Sequence, residues 1–155
     1  MPIEVLLIED SPGDVRLMRE ALGDANNSIR LHVASDGVEA IAFLRHEGPH
    51  NRVPRQDIIL LDLNLPKMDG HEVLALVKGD DDLKRIPTVI LTTSNSEVDV
   101  VKSYQLKANC YLTKPVKFEA FKKLVKSIND FWLTKVKLPN QSPCADVEEP
   151  AIQKR

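Results

Sequence analysis

Acidic and basic side chains follow short apolar segments at several points of the chain. Glu9 and Asp10 come directly after one such segment, and Asp62 comes directly after another. Thr92 and Lys114 lie close to the ends of two more. If these segments are parallel strands of one open sheet, ligands bind beyond their carboxyl ends, where these side chains would meet. Neighbouring carboxylates repel each other unless a proton or a cation intervenes.

The types of these side chains indicate phosphoryl chemistry. Mg²⁺ prefers oxygen ligands and often combines one or two carboxylates with phosphate oxygens. A lysine ammonium supplies a compact charge for a phosphate, and a carboxylate can act as a nucleophile that forms an acyl phosphate. The set therefore predicts metal-assisted transfer of a phosphoryl group onto an aspartate.

Strand and helix signals alternate five times, which positions these side chains. The apolar or alternating segments predict strands at 3–8, 29–34, 58–61, 88–91 and 110–112. Helix-start signals precede amphipathic segments at Ser11, at Ser35-Asp36 and at Ser96. This alternation predicts an α/β fold, a doubly wound parallel five-stranded sheet with helices on both faces.

Length and composition narrow the class of protein. The chain has 155 residues and a net charge of −2, which excludes a strongly basic nucleic-acid-coating protein. No apolar segment approaches a membrane span and no basic signal region begins the sequence, so we expect no membrane contact and a cytoplasmic location. Two cysteines, Cys110 and Cys144, are too few for a disulfide scaffold. We expect one domain over 1–133 and a tail over 134–155, with no output domain.

Five segments resemble the receiver domain of two-component response regulators. They are Leu-Ile-Glu-Asp-Ser at 7–11, Ile-Leu-Leu-Asp-Leu-Asn-Leu-Pro at 59–66, Met-Asp-Gly at 68–70, Ile-Leu-Thr-Thr at 90–93 and Tyr-Leu-Thr-Lys-Pro at 111–115. They occur in the order and spacing of that family, over about residues 3–133. The resemblance implies a flavodoxin-like (βα)5 fold with strand order 2-1-3-4-5.

The resemblance also implies an acceptor and a metal site. Asp62 matches the phospho-acceptor, which takes its phosphoryl group from the phosphohistidine of a histidine kinase. Asp62, Asp10 and the backbone carbonyl of Asn64 match the protein ligands of Mg²⁺, and Glu9 matches a residue that acts through a water. Asn64 and Ser94 flank the site, where they can steer a hydrolytic water.

Further residues match the phosphate-binding and switching parts of the family. Thr92 matches the hydroxyl that turns toward the phosphate, and Lys114 matches the phosphate-binding lysine. Its bond to Pro115 is typically cis in the family. Tyr111 matches the aromatic switch. Thr93 departs from the small alanine that many receivers carry after the switch threonine, and this adds bulk near the phosphate path.

Finer features are similar to regulators paired with phytochrome-type histidine kinases. They lie in the segments 47–57, 63–67, 84–87, 92–94 and 131–133. We therefore expect a single-domain regulator downstream of a phytochrome-type sensor kinase. A stand-alone phosphorelay receiver for a non-phytochrome histidine kinase is the alternative, because such receivers share these loop features.

Other functions on a similar fold fit less well. An aspartate phosphohydrolase needs an acid–base aspartate two residues after its nucleophile, but that position holds Asn64. A flavin site would place a phosphate beside Glu9 and Asp10, which would repel it. A degenerate receiver would lack the acceptor or the lysine, and both are present. We therefore expect a signalling switch, and no enzyme beyond its own phosphotransfer and dephosphorylation.

The end of the last helix carries three large apolar residues in succession, Phe131, Trp132 and Leu133. Adjacent residues of a helix do not face the same side, so they indicate either helix-end packing or a surface for a partner. We predict a homodimer built on the fourth helix, the fifth strand, the fifth helix and the start of the tail, with twofold symmetry.

Overall fold

Strands and helices alternate along the protein in a computed structural model that describes residues 2–23 and 29–139. The strands are β1 (Ile3–Ile8), β2 (Ile29–Ala34), β3 (Ile58–Leu61), β4 (Thr88–Thr92) and β5 (Cys110–Thr113). The helices are α1 (Pro12–Gly23), α2 (Gly37–Leu44), α3 (Gly70–Gly79), α4 (Glu97–Gln105) and α5 (Phe118–Phe131). Two short 3-10 helices, Gly48–His50 and Leu83–Arg85, lie in the connections before β3 and β4.

The five strands form one parallel sheet in the order β2-β1-β3-β4-β5, which confirms the predicted fold and strand order. In the sheet register Ile8 lies opposite Leu61, and Leu61 lies opposite Ile90. The carboxyl ends of β1 and β3 are therefore level, and β4 extends two residues further, to Thr92. The strand order reverses between β1 and β3, which is where open α/β sheets bind their ligands.

Alternate residues of the central strands pack on opposite faces of the sheet. Leu6, Ile8, Ile59 and Leu61 belong to a core shared with α2 and α3. Neighbouring residues of the same strands belong to a second core shared with α1 and α5. All four residues of β3 are buried, as expected for a central strand that is covered on both faces. This double covering fixes the strand ends that carry the polar side chains.

Short polar side chains begin the helices where the sequence predicts it. Ser11, Asp36 and Ser96 each accept a hydrogen bond from the backbone N–H three residues further on, which satisfies a donor that the first helical turn leaves free. Asp69 and Glu72 add a reciprocal capping box at the start of α3. These caps hold the loops that follow β1 and β3 in defined positions.

The C-terminal end differs from the prediction. Helix α5 ends at Phe131, and a turn in which Leu133 N donates to Ile128 O brings the Leu133 side chain back into the core. Leu138, in the predicted tail, is also buried, and the domain boundary at 133 stays a prediction. The rest of the predicted tail, with Cys144, lies outside the described residues. In the described parts of the chain, no helix has the length and apolar character that a membrane crossing requires.

Candidate functional site

Three carboxylates converge at the carboxyl ends of β1 and β3. Carboxylate oxygens of Glu9, Asp10 and Asp62 all lie within 4.8 Å of one another. The sheet register positions them, because Asp62 N donates to Ile8 O at 3.0 Å. Glu9 and Asp62 are buried, whereas Asp10 is exposed. The structure thus brings the sequence-predicted carboxylates together as a set of oxygen donors that could hold a divalent cation.

The buried ammonium of Lys114 lies beside this acidic cluster of Glu9, Asp10 and Asp62. Its Nζ donates to Asp62 Oδ2 at 3.4 Å, to Asp14 Oδ2 at 2.8 Å and to Glu9 Oε1. The sequence predicted the lysine but not its contact with Asp14, which lies in the first turn of α1. Asp14 follows Asp10 by four residues at the start of the helix after β1, and this position is a signal that could have placed it at the same end of the sheet.

Burial and charge shift the pKa values of this pair. Burial and the charge of Asp62 raise the pKa of Glu9 to about 7, although its contact with Lys114 lowers it. Burial alone would lower the pKa of Lys114, but its hydrogen bonds to Asp14 and Glu9 and the charge of Asp62 raise it above the ordinary value. The ammonium therefore stays charged, and the pocket holds more negative charge than one lysine can compensate.

The predicted switch residues meet in the connection after β4. Thr92 is fully buried, and its hydroxyl accepts a hydrogen bond from Ser94 N at 3.5 Å. Tyr111 donates its hydroxyl hydrogen to Ser94 O at 2.8 Å, and burial raises the pKa of the phenol. Ser94 Oγ donates to Asp99 Oδ2 on α4. Ser94 thus connects β4, β5 and α4, and its hydroxyl is engaged by Asp99.

The loop after Asp62 is held close to the start of α3. Asn64 is exposed, and its backbone N–H donates to Asp62 Oδ1 at 3.4 Å. Gly70 N donates to Leu63 O at 2.9 Å. A Cβ atom at Gly70 would lie 2.4 Å from Asp62 O, so only glycine permits this close packing. The role of the Asn64 carbonyl as a metal ligand stays a prediction.

One predicted feature of the site is wrong. The bond between Lys114 and Pro115 is trans, as is every other peptide bond in the described ranges. The trans form is the one that an X–Pro bond favours by about 0.5–1 kcal/mol. With this isomer Lys114 N still donates to Thr92 O at 2.7 Å, and the ammonium still reaches the carboxylates.

The predicted C-terminal surface is only partly present. Phe131 is 55% exposed, Trp132 is half-buried against the core, and Leu133 is buried. The successive apolar residues therefore divide between surface and core, because the chain leaves the helix after Phe131. The predicted homodimer surface included the fourth helix without naming its residues, and on α4 the structure exposes Val98, Val101 and Tyr104.

Comparison with known families agrees with this geometry. The family described as the response regulator receiver domain matches residues 5–126. The chain belongs to this family. The match includes the three carboxylates, Thr92, Tyr111 and Lys114.

Individual relatives are similar over nearly the whole chain. The chain is 50% identical over 138 residues to the response regulator Rcp1 of Synechocystis sp., which covers 89% of this chain and 94% of Rcp1. The crystal structure of the Mn²⁺-bound form of Rcp1 matches with a TM-score of 0.86, over 89% of this chain and 99% of that one. The phosphorylated cyanobacterial phytochrome response regulator RcpA matches at 46% identity with a TM-score of 0.87, over 90% and 99% of the two chains.

Proposed function

We propose that this receiver domain accepts a phosphoryl group on Asp62 and so acts as a signalling switch. The observation that carries the proposal is the position of the Asp62 carboxylate, which is buried, lies in the acidic cluster and is 3.4 Å from the Lys114 ammonium. A carboxylate in this setting has a cation on one side and room for a metal on another. This is the arrangement that phosphoryl transfer requires, because catalysis depends on positioning and charge neutralisation.

The donor set fits Mg²⁺. Glu9, Asp10 and Asp62 offer only oxygen atoms, and Mg²⁺ binds through one or two carboxylates while it keeps other positions for water and phosphate. Burial and the charge of Asp62 raise the pKa of Glu9, so ionised Glu9 is costly in the metal-free pocket and a cation would stabilise it. We propose Asp10, Asp62 and the Asn64 carbonyl as direct ligands and Glu9 as a ligand through water. Bound Mg²⁺ would supply charge neutralisation between the acidic cluster and the phosphoryl oxygens.

The residues of the chain would then perform one substitution at phosphorus. An Asp62 carboxylate oxygen attacks the phosphorus of a phosphohistidine, an O–P bond forms, and the P–N bond breaks with its electron pair left on the imidazole. Lys114 would donate to the transferred group, and the Thr92 hydroxyl would turn toward it. Tyr111 would respond through Ser94, to which both Thr92 and Tyr111 are hydrogen-bonded.

We propose a phytochrome-type histidine kinase as the phosphoryl donor. The support is similarity to RcpA, which is described as a phytochrome response regulator, and similarity to Rcp1 over almost its full length. A histidine kinase of another type is the alternative. Phosphotransfer from a panel of purified histidine kinases of the source organism distinguishes the two, since the cognate kinase transfers fastest. Because a histidine kinase forms its phosphohistidine from ATP, a cytoplasmic location is part of the proposal. The proposal includes no enzymatic activity beyond the protein's own phosphotransfer and dephosphorylation.

A homodimer is the proposed form of the output. The support is the apolar surface of Val98, Val101 and Tyr104 on α4 and of Phe131 on α5. These helices flank β5, which is the edge strand of the sheet. Trp132 and Leu133, which the sequence placed on this surface, are replaced in the proposal by the α4 residues. We propose no nucleic-acid contact, because the net charge is −2.

Acetyl phosphate as a small donor tests the acceptor. We expect the intact mass of the protein to rise by one phosphoryl group in the presence of Mg²⁺, and to stay unchanged with a chelator. Asp62→Asn should abolish the increase, whereas Asp82→Asn, at an exposed aspartate outside the pocket, should leave it intact. A mass increase that survives Asp62→Asn would place the acceptor elsewhere and contradict the proposal.

A further inference from the structure

Lys114 has three carboxylate partners for the three hydrogens of its ammonium. They are Glu9, Asp14 and Asp62, and the distance from Nζ is 2.8 Å for Asp14 and 3.4 Å for Asp62. The side chain of Lys114 is only 5% exposed. A buried ammonium that loses a charged partner pays a desolvation cost that nothing else offsets. The position of Nζ therefore depends on which of the three partners are available.

The acidic cluster includes two of these partners and excludes the third. Glu9 and Asp62 belong to the group of carboxylates whose oxygens could share a metal, and Asp14 does not. A divalent cation at the cluster would repel the ammonium of Lys114 and would compete with it for the carboxylates of Glu9 and Asp62. Among the described carboxylates that contact Lys114 Nζ, Asp14 is the one that lies outside the cluster and so stays available to the ammonium when a cation binds.

Local structure fixes Asp14 in its position. Its backbone N–H donates to Ser11 Oγ at 3.3 Å in the first turn of α1. Ser11 N in turn donates to Glu9 Oε2 at 3.0 Å. The amino-terminal end of a helix also stabilises a carboxylate there. The side chain of Asp14 is 31% exposed, so its charge is kept at a lower cost than the charges of Glu9 and Asp62.

We propose that Asp14 is a positioning residue for Lys114, which holds the ammonium beside Asp62 while a metal occupies the acidic cluster. This inference rests on the proposed function, because it concerns the lysine that would contact the transferred phosphoryl group. Without Asp14, the ammonium is drawn toward the exposed edge of the pocket or back to Glu9. Phosphoryl uptake then becomes slower although the acceptor and the metal ligands are unchanged.

The proposal is tested by the rate of phosphorylation by acetyl phosphate, measured for each variant at a saturating Mg²⁺ concentration. We expect Asp14→Ala to lower the rate constant about tenfold, the lower end of what a hydrogen bond to a charged group contributes. Asp14→Glu, which keeps the charge, should restore most of the rate. Glu119→Ala, which removes an exposed carboxylate from the first turn of α5, is the matched control and should match the wild type.

A double-mutant cycle separates positioning from a general structural role. If Asp14 acts through Lys114, Asp14→Ala should have no further effect on the rate in a Lys114→Ala background. Equal effects of Asp14→Ala in both backgrounds would overturn the proposal. A wild type that takes up phosphoryl groups no faster than Asp14→Ala also overturns it. A wild type that takes up none contradicts the proposed function itself, and the inference falls with it.

An independent measurement does not depend on the reaction. Ammonium hydrogens give an NMR signal when hydrogen bonds protect them from exchange with water. We expect a Lys114 signal in the wild type with and without Mg²⁺, and its loss in Asp14→Ala only when Mg²⁺ is added. A signal that persists in Asp14→Ala with Mg²⁺ would show that another group holds the lysine and would overturn the proposal.

Discussion

Glu9 couples the stability of the metal-free protein to pH. Burial and the charge of Asp62 raise its pKa to about 7, against 4.5 for an unperturbed glutamate. Between these values the folded protein holds a proton that the unfolded chain has released, so stability falls as pH rises through this window. At about 1.4 kcal/mol per pKa unit, Glu9 accounts for a loss of roughly 3–4 kcal/mol between about pH 4.5 and pH 7.

Urea unfolding with a chelator present measures this loss. Glu9→Gln imitates the protonated carboxyl group, so its free energy of unfolding should change less than that of the wild type between pH 5 and pH 7. Other carboxylates titrate in both proteins and cancel in the difference. If both proteins lose the same stability over this window, Glu9 does not carry the shift.

The sequence predicts the location of a polar side chain well at the end of a strand and less well where the location depends on a tertiary contact. Glu9 and Asp62 follow buried strands and Thr92 ends one, and the register of these strands brings the three residues to one end of the sheet. The contact between Asp14 and Lys114 joins residues 100 positions apart. The position of Asp14 after Asp10 indicates only which end of the sheet it lies at, and its contact with Lys114 depends on the tertiary arrangement of α1 and the segment that ends β5.

Helix α3 begins so close to the acceptor loop that its first residue has no room for a side chain. A Cβ atom at Gly70 would lie 2.4 Å from Asp62 O and 2.5 Å from Leu63 Cα. Backbone atoms cannot rotate away as a side chain can, so Gly70→Ala must displace the loop or the helix. We expect a loss of roughly 1–3 kcal/mol, as is usual for overpacking, together with slower phosphoryl uptake at Asp62.

Gly79 is the matched control at the other end of α3. A Cβ atom there meets nothing within 4 Å, so Gly79→Ala should be neutral or stabilise the protein by about 0.5–1 kcal/mol. The gain would arise because alanine lowers the conformational entropy of the unfolded chain. Urea unfolding of the two variants gives the comparison. Equal stabilities would mean that the acceptor loop moves freely and that α3 does not hold Asp62 in place.

At the scale of the whole molecule, the alternation of apolar segments was enough to predict the five-stranded parallel sheet and its helices. The C-terminal end was predicted less well. Sequence pattern alone extends α5 through Trp132 and Leu133, but the turn after Phe131 returns Leu133 to the core. The sequence therefore overestimated the apolar surface on α5. It placed α4 in the dimer surface but did not identify its exposed residues, because their spacing is also typical of a buried helix face.

The exposed apolar residues of α4 provide a test of the proposed homodimer. Val98, Val101 and Tyr104 recur at three-residue spacing on α4 and are all about half exposed or more, so they form one apolar stripe. In a twofold interface each substitution occurs on both copies, so Val101→Asp would place two like charges close together. We expect the wild type to sediment as a dimer at micromolar concentration and Val101→Asp to sediment as a monomer.

Three further variants separate association from folding. Val38→Asp, at an equally exposed valine on α2, should leave the dimer intact because α2 lies away from β5. Trp132→Ala should lower the melting temperature because its side chain packs against the core, whereas Phe131→Ala should weaken association at unchanged melting temperature.

Phosphorylation on Asp62 should shift the equilibrium between monomer and dimer. The reason is that Ser94 links Tyr111 to Asp99 on α4, the helix that carries the apolar stripe. A wild type that stays monomeric with and without the phosphoryl group would remove this surface as the output of the switch.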